Sequence, residues 1–339
     1  MSIVLTGGGT GGHLAIIAAV KEHLKSDYVY IGSSRGQDRA WFGDDKSFKK
    51  CYFLDSKGVM NRGVFGKLSA LLGIAKETLR ARKILKENDA QVLFCVGGYS
   101  AAPASFAALT LGVPLVIHEQ NAAIGRLNRV LRPFAKAFIS SYDKDSPLKL
   151  YPIKQIFFDL ARKREELKSI LIVGGSQGAA ALNKLALELA PTLAHKGIKI
   201  FHQAGEKNLE DVKSEYEKMG IEAEVFGFTK ELPTIMQKCD FAIARAGAST
   251  LWELAANGLP TLFVPYPYAA DNHQYYNAKF LADNDLAYLI EEKSLRVEDV
   301  IDILEKCDLS SKSEKLLKLI EPNGAREIAQ LLEGFNSSR

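Results

Sequence analysis

The sequence predicts an α/β protein built from two doubly wound parallel sheets. Three observations carry this. Short apolar runs alternate with segments of helical period, the pattern of βαβ units. The alternation restarts near the middle of the chain, after a charged stretch that contains proline. Each half opens on a strand that runs directly into a glycine loop. At 339 residues, against a prior of about 100–200 residues per domain, each half can bury a core of its own.

In the first half the strand candidates are Ile3–Leu5, Val29–Ile31, Val92–Val96, Leu115–Ile117 and Ala137–Ile139. Each is followed by glycine or polar residues and then by a helical segment. The stretch YDKDSPLKLYPIKQIFFDLARKREELKS reads as a linker and the entry to a second domain. There Ser169–Val173 runs into Gly174-Gly-Ser-Gln-Gly178, and Lys199–Gln203, Glu224–Phe226, Phe241–Arg245 and Thr261–Val264 follow as strands. After Pro322-Asn-Gly324 the tail restarts as an amphipathic helix able to cross back to the first domain. The expected domains are therefore 1–153 plus the helix 323–339, and 154–322. Ligands of such sheets sit beyond the carboxyl ends of the strands, so a cleft between the halves is the expected site.

Composition narrows the function classes. Hydrophobic residues make up 47% and charged residues 25% of the chain, an ordinary globular balance. The formal net charge of +4 fits an anionic ligand or membrane surface and is too small to imply nucleic acid. The four cysteines, Cys51, Cys95, Cys239 and Cys307, form no CxxC or His-spaced set, so neither a disulfide framework nor a zinc site is expected. Ile3–Leu5 is too short for a signal peptide, and no apolar run reaches the roughly 18 residues of a membrane span, so any membrane contact is expected to be peripheral.

The first loop, Gly7-Gly-Gly-Thr10-Gly11-Gly12, contains GxGxxG at Gly7, Gly9 and Gly12, so a dinucleotide is the first reading. It fits poorly, because Val29-Tyr-Ile-Gly-Ser-Ser-Arg35 ends in small and basic residues where the ribose needs an acid. What remains is physical. Glycines bring backbone N–H groups close to a ligand at a helix N-terminus, where orphan donors and the dipole favour an anion such as a sugar diphosphate. A ligand-free turn explains part of the run but not its length or the adjacent His13. That histidine falls in the first helical turn, where the dipole disfavours imidazolium and favours a neutral ring able to accept a proton.

Gly174–Gly178 offers a second anion cradle, and RAGASTLWELAANGLPTLFVPYPYAADNHQYYNA is denser still. Thr250-Leu-Trp-Glu253 has capping-box spacing, a sufficient structural account of both end residues. A carboxylate at that position also suits the two hydroxyls of a ribose. Asp143-Lys-Asp145 matches the DxD of metal-dependent transferases but lies before Pro147, where aspartates commonly form turns. Residues 63–86 place Leu68, Leu71, Leu72, Ile74 and Leu79 among Lys67, Lys76, Arg80, Arg82, Lys83 and Lys86. That pattern reads either as a surface helix packing its leucines inward or as a face for anionic lipid.

Taken together, Gly8–His13, Gly97-Gly-Tyr-Ser100 with Pro103, His118-Glu-Gln-Asn121, Gly174–Gly178, Ala248–Glu253 and His273-Gln274 resemble the MurG family of bacterial glycosyltransferases over nearly the whole chain. The resemblance implies a GT-B fold and an inverting transfer of N-acetylglucosamine (GlcNAc) from UDP-GlcNAc to the muramoyl 4-hydroxyl of undecaprenyl-diphospho-MurNAc-pentapeptide. It implies no metal and no cofactor. The positions matching donor contacts are Thr10, Gly11, Gly12, Asn121, Lys154, Ser176, Thr229, Ala248, Ser249, Thr250, Leu251, Trp252, Glu253 and Gln274. Of these, Glu253 would take the ribose hydroxyls and Thr229 would lie near the uracil. His13 and Glu119 are the candidates for chemistry, with His13 as the base. Partners implied are the lipid-linked acceptor, the anionic cytoplasmic face of the inner membrane and other cell-wall synthesis proteins.

Two departures stand out. The proline usual after the histidine is absent from His13-Leu-Ala-Ile-Ile-Ala18, and Tyr151-Pro-Ile-Lys154 carries lysine where the family has arginine, a point charge in place of a bidentate fork. Two other classes stay open on the residues alone: a UDP-sugar epimerase of the same fold, and a non-catalytic binder of nucleotide sugar or membrane surface.

Overall fold

The computed structural model describes residues 1–56, 64–148, 150–175 and 178–336. The chain divides into two compact units, Met1–Lys154 with Asn323–Arg339, and Gln155–Pro322.

The first unit holds β1 (Ser2–Thr6), β2 (Tyr28–Ser33), β3 (Lys50–Leu54), β4 (Ala90–Cys95), β5 (Leu115–Glu119) and β6 (Ala137–Ser140), all parallel, in the order β3-β2-β1-β4-β5-β6. Its helices before the linker are α1 (Gly11–Lys21), α2 (Asp38–Phe42), α3 (Val64–Glu87), α4 (Ala102–Leu111) and α5 (Arg126–Leu131). Ile3, Val4 and Leu5 on β1 and Val92, Leu93 and Phe94 on β4 have no exposed surface. These strands are apolar throughout because helices cover both faces of a parallel sheet.

The second unit begins with α6 (Gln155–Asp159) and repeats the plan. Its strands are β7 (Ser169–Val173), β8 (Lys199–Gln203), β9 (Ala223–Phe226), β10 (Phe241–Ala244), β11 (Thr261–Phe263) and β12 (Tyr288–Leu289), in the order β12-β11-β10-β7-β8-β9. The helices are α7 (Ala180–His195), α8 (Leu209–Lys218), α9 (Leu232–Lys238), α10 (Ala248–Ala256), α11 (His273–Ala282), α12 (Val297–Lys306) and α13 (Leu309–Leu317). Two doubly wound units of this kind make the fold GT-B. The final helix, α14 (Gly324–Asn336), belongs to the first unit, where it lies against α1, β1 and β4. This explains why α1 is buried at Leu14, Ile16, Ile17, Ala18, Ala19 and Val20, nearly all round.

Two strands escaped the sequence reading, β3 and β12. Both are edges. They lie in the short apolar runs Cys51–Leu54 and Leu286–Ile290, but β3 is half-exposed along most of its length and β12 is two residues long.

The linker is locked by a buried cation. Arg164 has no exposed surface, and its guanidinium donates to the carbonyl oxygens of Arg162 (2.6 Å), Met236 (2.9 Å), Cys239 (3.2 Å) and Asn257, and to Asn257 Oδ1. Asn257 in turn donates to the carbonyls of Phe157 and Leu160. Burial, reinforced by the nearby Arg162, lowers the pKa of Arg164. Replacing it leaves several buried carbonyls unpaired, each costing about 1–3 kcal/mol. Arg164→Met is therefore expected to lower the unfolding free energy by about 3 kcal/mol or more in denaturant titration.

Candidate functional site

In each sheet the strand order reverses between two central neighbours, β1 and β4 in the first unit and β7 and β10 in the second. The crevice beyond such a reversal is where doubly wound sheets bind ligands. The motifs gather there. Gly7–His13 follows β1, Gly97–Ser100 follows β4, Glu119–Asn121 ends β5, Gly174–Gly178 follows β7, and Ala246–Glu253 follows β10.

In the first unit the two glycine loops touch. Gly98 has φ +79°, and a Cβ built on it would stand 2.7 Å from Gly8 O and 3.6 Å from His13 Cε1. Only bare backbone permits that approach. Thr10 is the N-cap of α1 in extended conformation, with Gly11 and Gly12 opening the helix and His13 in its first turn. The threonine hydroxyl does not cap the helix; it lies 2.9 Å from His13 Nδ1. Gln120 Nε2 lies 2.9 Å from His13 Nε2. An amide nitrogen only donates, so Nε2 accepts and the ring proton sits on Nδ1, donating to Thr10. This is a neutral imidazole with its basic lone pair on Nε2. Gln120 was not among the sequence candidates, although it stands between two of them.

Glu119 does not fit a catalytic role. It is 2% exposed, and its Oε1 accepts from Asn121 N (2.9 Å) while Oε2 accepts from Gly125 N (2.9 Å) and Asn128 Nδ2 (2.9 Å). It shapes the loop that carries Gln120 and Asn121, and through Asn128, packed on Gly97, it ties that loop to the second glycine loop. The adjacent His118 is fully buried, and burial pushes its pKa down to about 3.

In the second unit α10 starts three residues earlier than its capping-box spacing implies. Gly247 in extended conformation is the N-cap, Ala248 and Ser249 form the first turn, and no side chain caps it. Thr250 and Glu253 therefore lie inside the helix, and the capping account of them falls. Leu251 and Trp252 are core residues: Leu251 has no exposed surface, its N–H bonds Gly247 O, and Trp252 packs on Phe280. Their side chains are buried, while Thr250 and Glu253 keep partly exposed ones.

Gln274, in the first turn of α11, accepts from Tyr266 N at 2.9 Å. Behind it Arg245, another residue absent from the candidates, donates to Val264 O (3.0 Å) and Pro265 O (3.2 Å) and pairs with Glu292 at 2.5 Å. Together they fix the turn after β11. Thr229 accepts from Glu231 N (3.0 Å) beside the half-exposed Phe228. Lys154 lies 3.3 Å from Glu22, an exposed pair weak enough to yield to a ligand. Ser176 lies outside the described residues. Asp143, of the DxD triplet, takes Arg132 at 2.6 Å and Asp145 N at 3.0 Å, the contacts of a turn former.

On α3 the inward-packing expectation fails for Leu71, Leu72 and Leu79, which are 54%, 64% and 69% exposed. Ala81, Ile84 and Leu85 make the buried face instead. Leu68 and Lys67 have side chains outside the described residues. Exposed Lys76, Arg80, Lys83 and Lys86 share the helix, and exposed Val130 and Phe134 stand among Arg126, Arg129, Arg132 and Lys136 in the same unit. Among the described residues no helix is long and apolar enough to cross a membrane.

Comparison with known proteins fits this geometry. The chain matches the glycosyltransferase family 28 N-terminal domain over residues 3–140 and the family 28 C-terminal domain over residues 169–332. It is 56% identical, over 100% of both chains, to a Sulfurovum protein named UDP-N-acetylglucosamine--N-acetylmuramyl-(pentapeptide) pyrophosphoryl-undecaprenol N-acetylglucosamine transferase. A Wolinella succinogenes protein of the same name is 51% identical over 98% of this chain and 99% of its own. The chain belongs to the MurG family of glycosyltransferases. The crystal structure of Acinetobacter baumannii MurG matches with a TM-score of 0.79 and 30% identity over 98% of this chain and 99% of that one. The Streptomyces glycosyltransferase SsfS6, at 15% identity and a TM-score of 0.66 over 98% of this chain and 99% of its own, shares the fold.

Two outcomes follow for this MurG-family site. Glu119→Gln should lower the melting temperature and the turnover together without moving either limb of the pH–rate profile, since Glu119 shapes the loop through its backbone hydrogen bonds. His118 has a folded pKa of about 3 against an ordinary 6.5, so the unfolded chain binds its proton first. Stability is expected to fall as pH drops from about 6.5 towards 3, and His118→Gln, followed by thermal melts across that range, should flatten the decline.

Proposed function

We infer that this chain transfers GlcNAc from UDP-GlcNAc to the muramoyl 4-hydroxyl of undecaprenyl-diphospho-MurNAc-pentapeptide, the acceptor class named for its relatives, with inversion at the anomeric carbon. The observation that supports it most is full-length identity of 56% to such a transferase together with glycine motifs at both strand-order reversals.

The reaction is a single displacement. The acceptor hydroxyl attacks the anomeric carbon of the α-linked donor, its proton passes to His13 Nε2, and UDP departs with the bonding electrons, leaving a β-linked sugar. Substrate replaces Gln120 at Nε2, while Thr10 keeps Nδ1 as the protonated nitrogen and so keeps the ring oriented. Negative charge growing on the departing diphosphate meets N–H groups at the starts of α7 and α10, which act as fixed donors without reorganisation. In this reading Glu253 accepts the ribose hydroxyls, Thr229 and Phe228 border the uracil, and Gln274, Ala248, Ser249 and Thr250 hold the sugar and its phosphates, with Ser176, Lys154, Asn121, Gly11 and Gly12 completing the donor contacts.

The exposed leucines of α3 among its lysines and arginines support peripheral binding to the anionic cytoplasmic face of the inner membrane, where each basic residue adds about 1 kcal/mol and the leucines bury apolar surface. Other cell-wall synthesis proteins acting on the same lipid are the protein partners this placement favours.

His13→Ala is expected to lower turnover by about 100-fold or more while UDP-GlcNAc binding, read by calorimetry, changes little; an undiminished rate removes His13 as the base. Proton NMR of the product should show the large anomeric coupling of a β-linkage. Leu71→Glu with Leu72→Glu and Leu79→Glu should abolish flotation with anionic liposomes at low salt but spare transfer to a short-chain, water-soluble acceptor, and wild-type flotation of that variant would refute the leucine face.

A further inference from the structure

The first glycine loop has a foundation that its own sequence does not contain. Asp38, the first residue of α2, is fully buried. Its Oδ2 accepts from Gly9 N at 2.7 Å, and its Oδ1 accepts from Ser33 N and from the Tyr30 hydroxyl, both at 2.8 Å. Tyr30, equally buried, also stands 2.7 Å from Gly7 O, so its single proton is shared between that carbonyl and Asp38 Oδ1. Burial, reinforced by the Asp38 charge, raises the pKa of the phenol, so it stays a donor. Among the described hydrogen bonds the partners of Asp38 are all neutral. A buried carboxylate without a cation is an expensive way to fill space, and an apolar residue would serve stability at least as well.

The glycines answer to this pair. A Cβ on Gly8 would stand 2.2 Å from Asp38 Oδ1, and one on Gly36 would stand 2.6 Å from Oδ2 and 2.5 Å from Gly9 Cα. Part of the glycine run therefore exists to admit the carboxylate beneath it. The run also holds two glycines at positive φ, Gly7 at +129° and Gly9 at +83°, and such backbone keeps one shape only when it is tethered from outside.

We propose that Asp38 and Tyr30 are positioning residues for the transfer, holding Gly7 O and Gly9 N–H so that Thr10 and His13 are presented in their reactive arrangement. The pair touches no substrate and acts through the loop; the proposal rests on the reading of that loop as the reacting site.

The test is Tyr30→Phe, which removes one oxygen, beside Asp38→Asn and Asp38→Ala, in the full-length enzyme with UDP-GlcNAc and a short-chain lipid-linked acceptor. Tyr30→Phe should melt within a few degrees of wild type, bind UDP-GlcNAc with affinity changed less than about twofold, and lose about 10–100-fold in kcat. Asp38→Asn, which keeps one oxygen to accept from Gly9, should retain more kcat than Asp38→Ala. Hydrogen exchange at the loop amides should quicken in all three. Wild-type kcat in folded Tyr30→Phe, or losses that track only the unfolded fraction, overturns the proposal. His13→Ala run in parallel separates the two readings. If it keeps full turnover the loop is not the reacting site, whereas faster loop exchange in Tyr30→Phe still reports whether the pair holds the loop.

Discussion

Contact between two strips of bare backbone governs the first unit. The loops after β1 and β4 approach until a Cβ at Gly98 would press on Gly8 O, and that approach sets the place of His13, whose ring lies beside Gly98 and between Thr10 and Gln120. Side chains at those glycines would push the loops apart and separate the histidine from the amide that fixes its tautomer. The strand order makes the contact available by placing β1 and β4 side by side at the reversal of the sheet.

Loops of such freedom need external ties, and the same device recurs. Glu119 gathers the N–H groups of Asn121 and Gly125, Asp38 takes that of Gly9, and Glu206 in the second unit takes that of Phe228 at 2.6 Å. Each carboxylate satisfies backbone donors that would otherwise face water or a void, and each strengthens the bond by carrying charge. Arg245 does the converse with the carbonyls of Val264 and Pro265. Acidic residues close to a site are thus often its supports, a use that separates Glu119 from His13 although both stand in motifs of the same family.

The sequence made the central strands and glycine loops legible because their signals are local: an apolar run, then glycine, then helical period. Edge strands β3 and β12 lie in the short apolar runs Cys51–Leu54 and Leu286–Ile290, which the alternation of strand and helix signals did not single out. Glu119 read as chemistry because a motif names a residue without its burial. Thr250 and Glu253 read as a capping box because spacing cannot see that Gly247 opens the helix earlier. Leu251 and Trp252 came with a contiguous segment whose helical period turns them into the core. Asp38, Tyr30 and Arg245 left no local signal, since their partners lie 5 to 29 residues away for the first two and 19 to 47 for the third.

The central claim is that a sugar leaves UDP only for a lipid-linked acceptor. The most direct measurement is UDP release by the purified protein with UDP-GlcNAc, with and without a short-chain diphospho-MurNAc-pentapeptide lipid, followed by product mass. The account predicts UDP release that depends on acceptor and a lipid heavier by one N-acetylhexosamine. UDP release without acceptor, an epimerised nucleotide sugar, or donor binding with no product would contradict it.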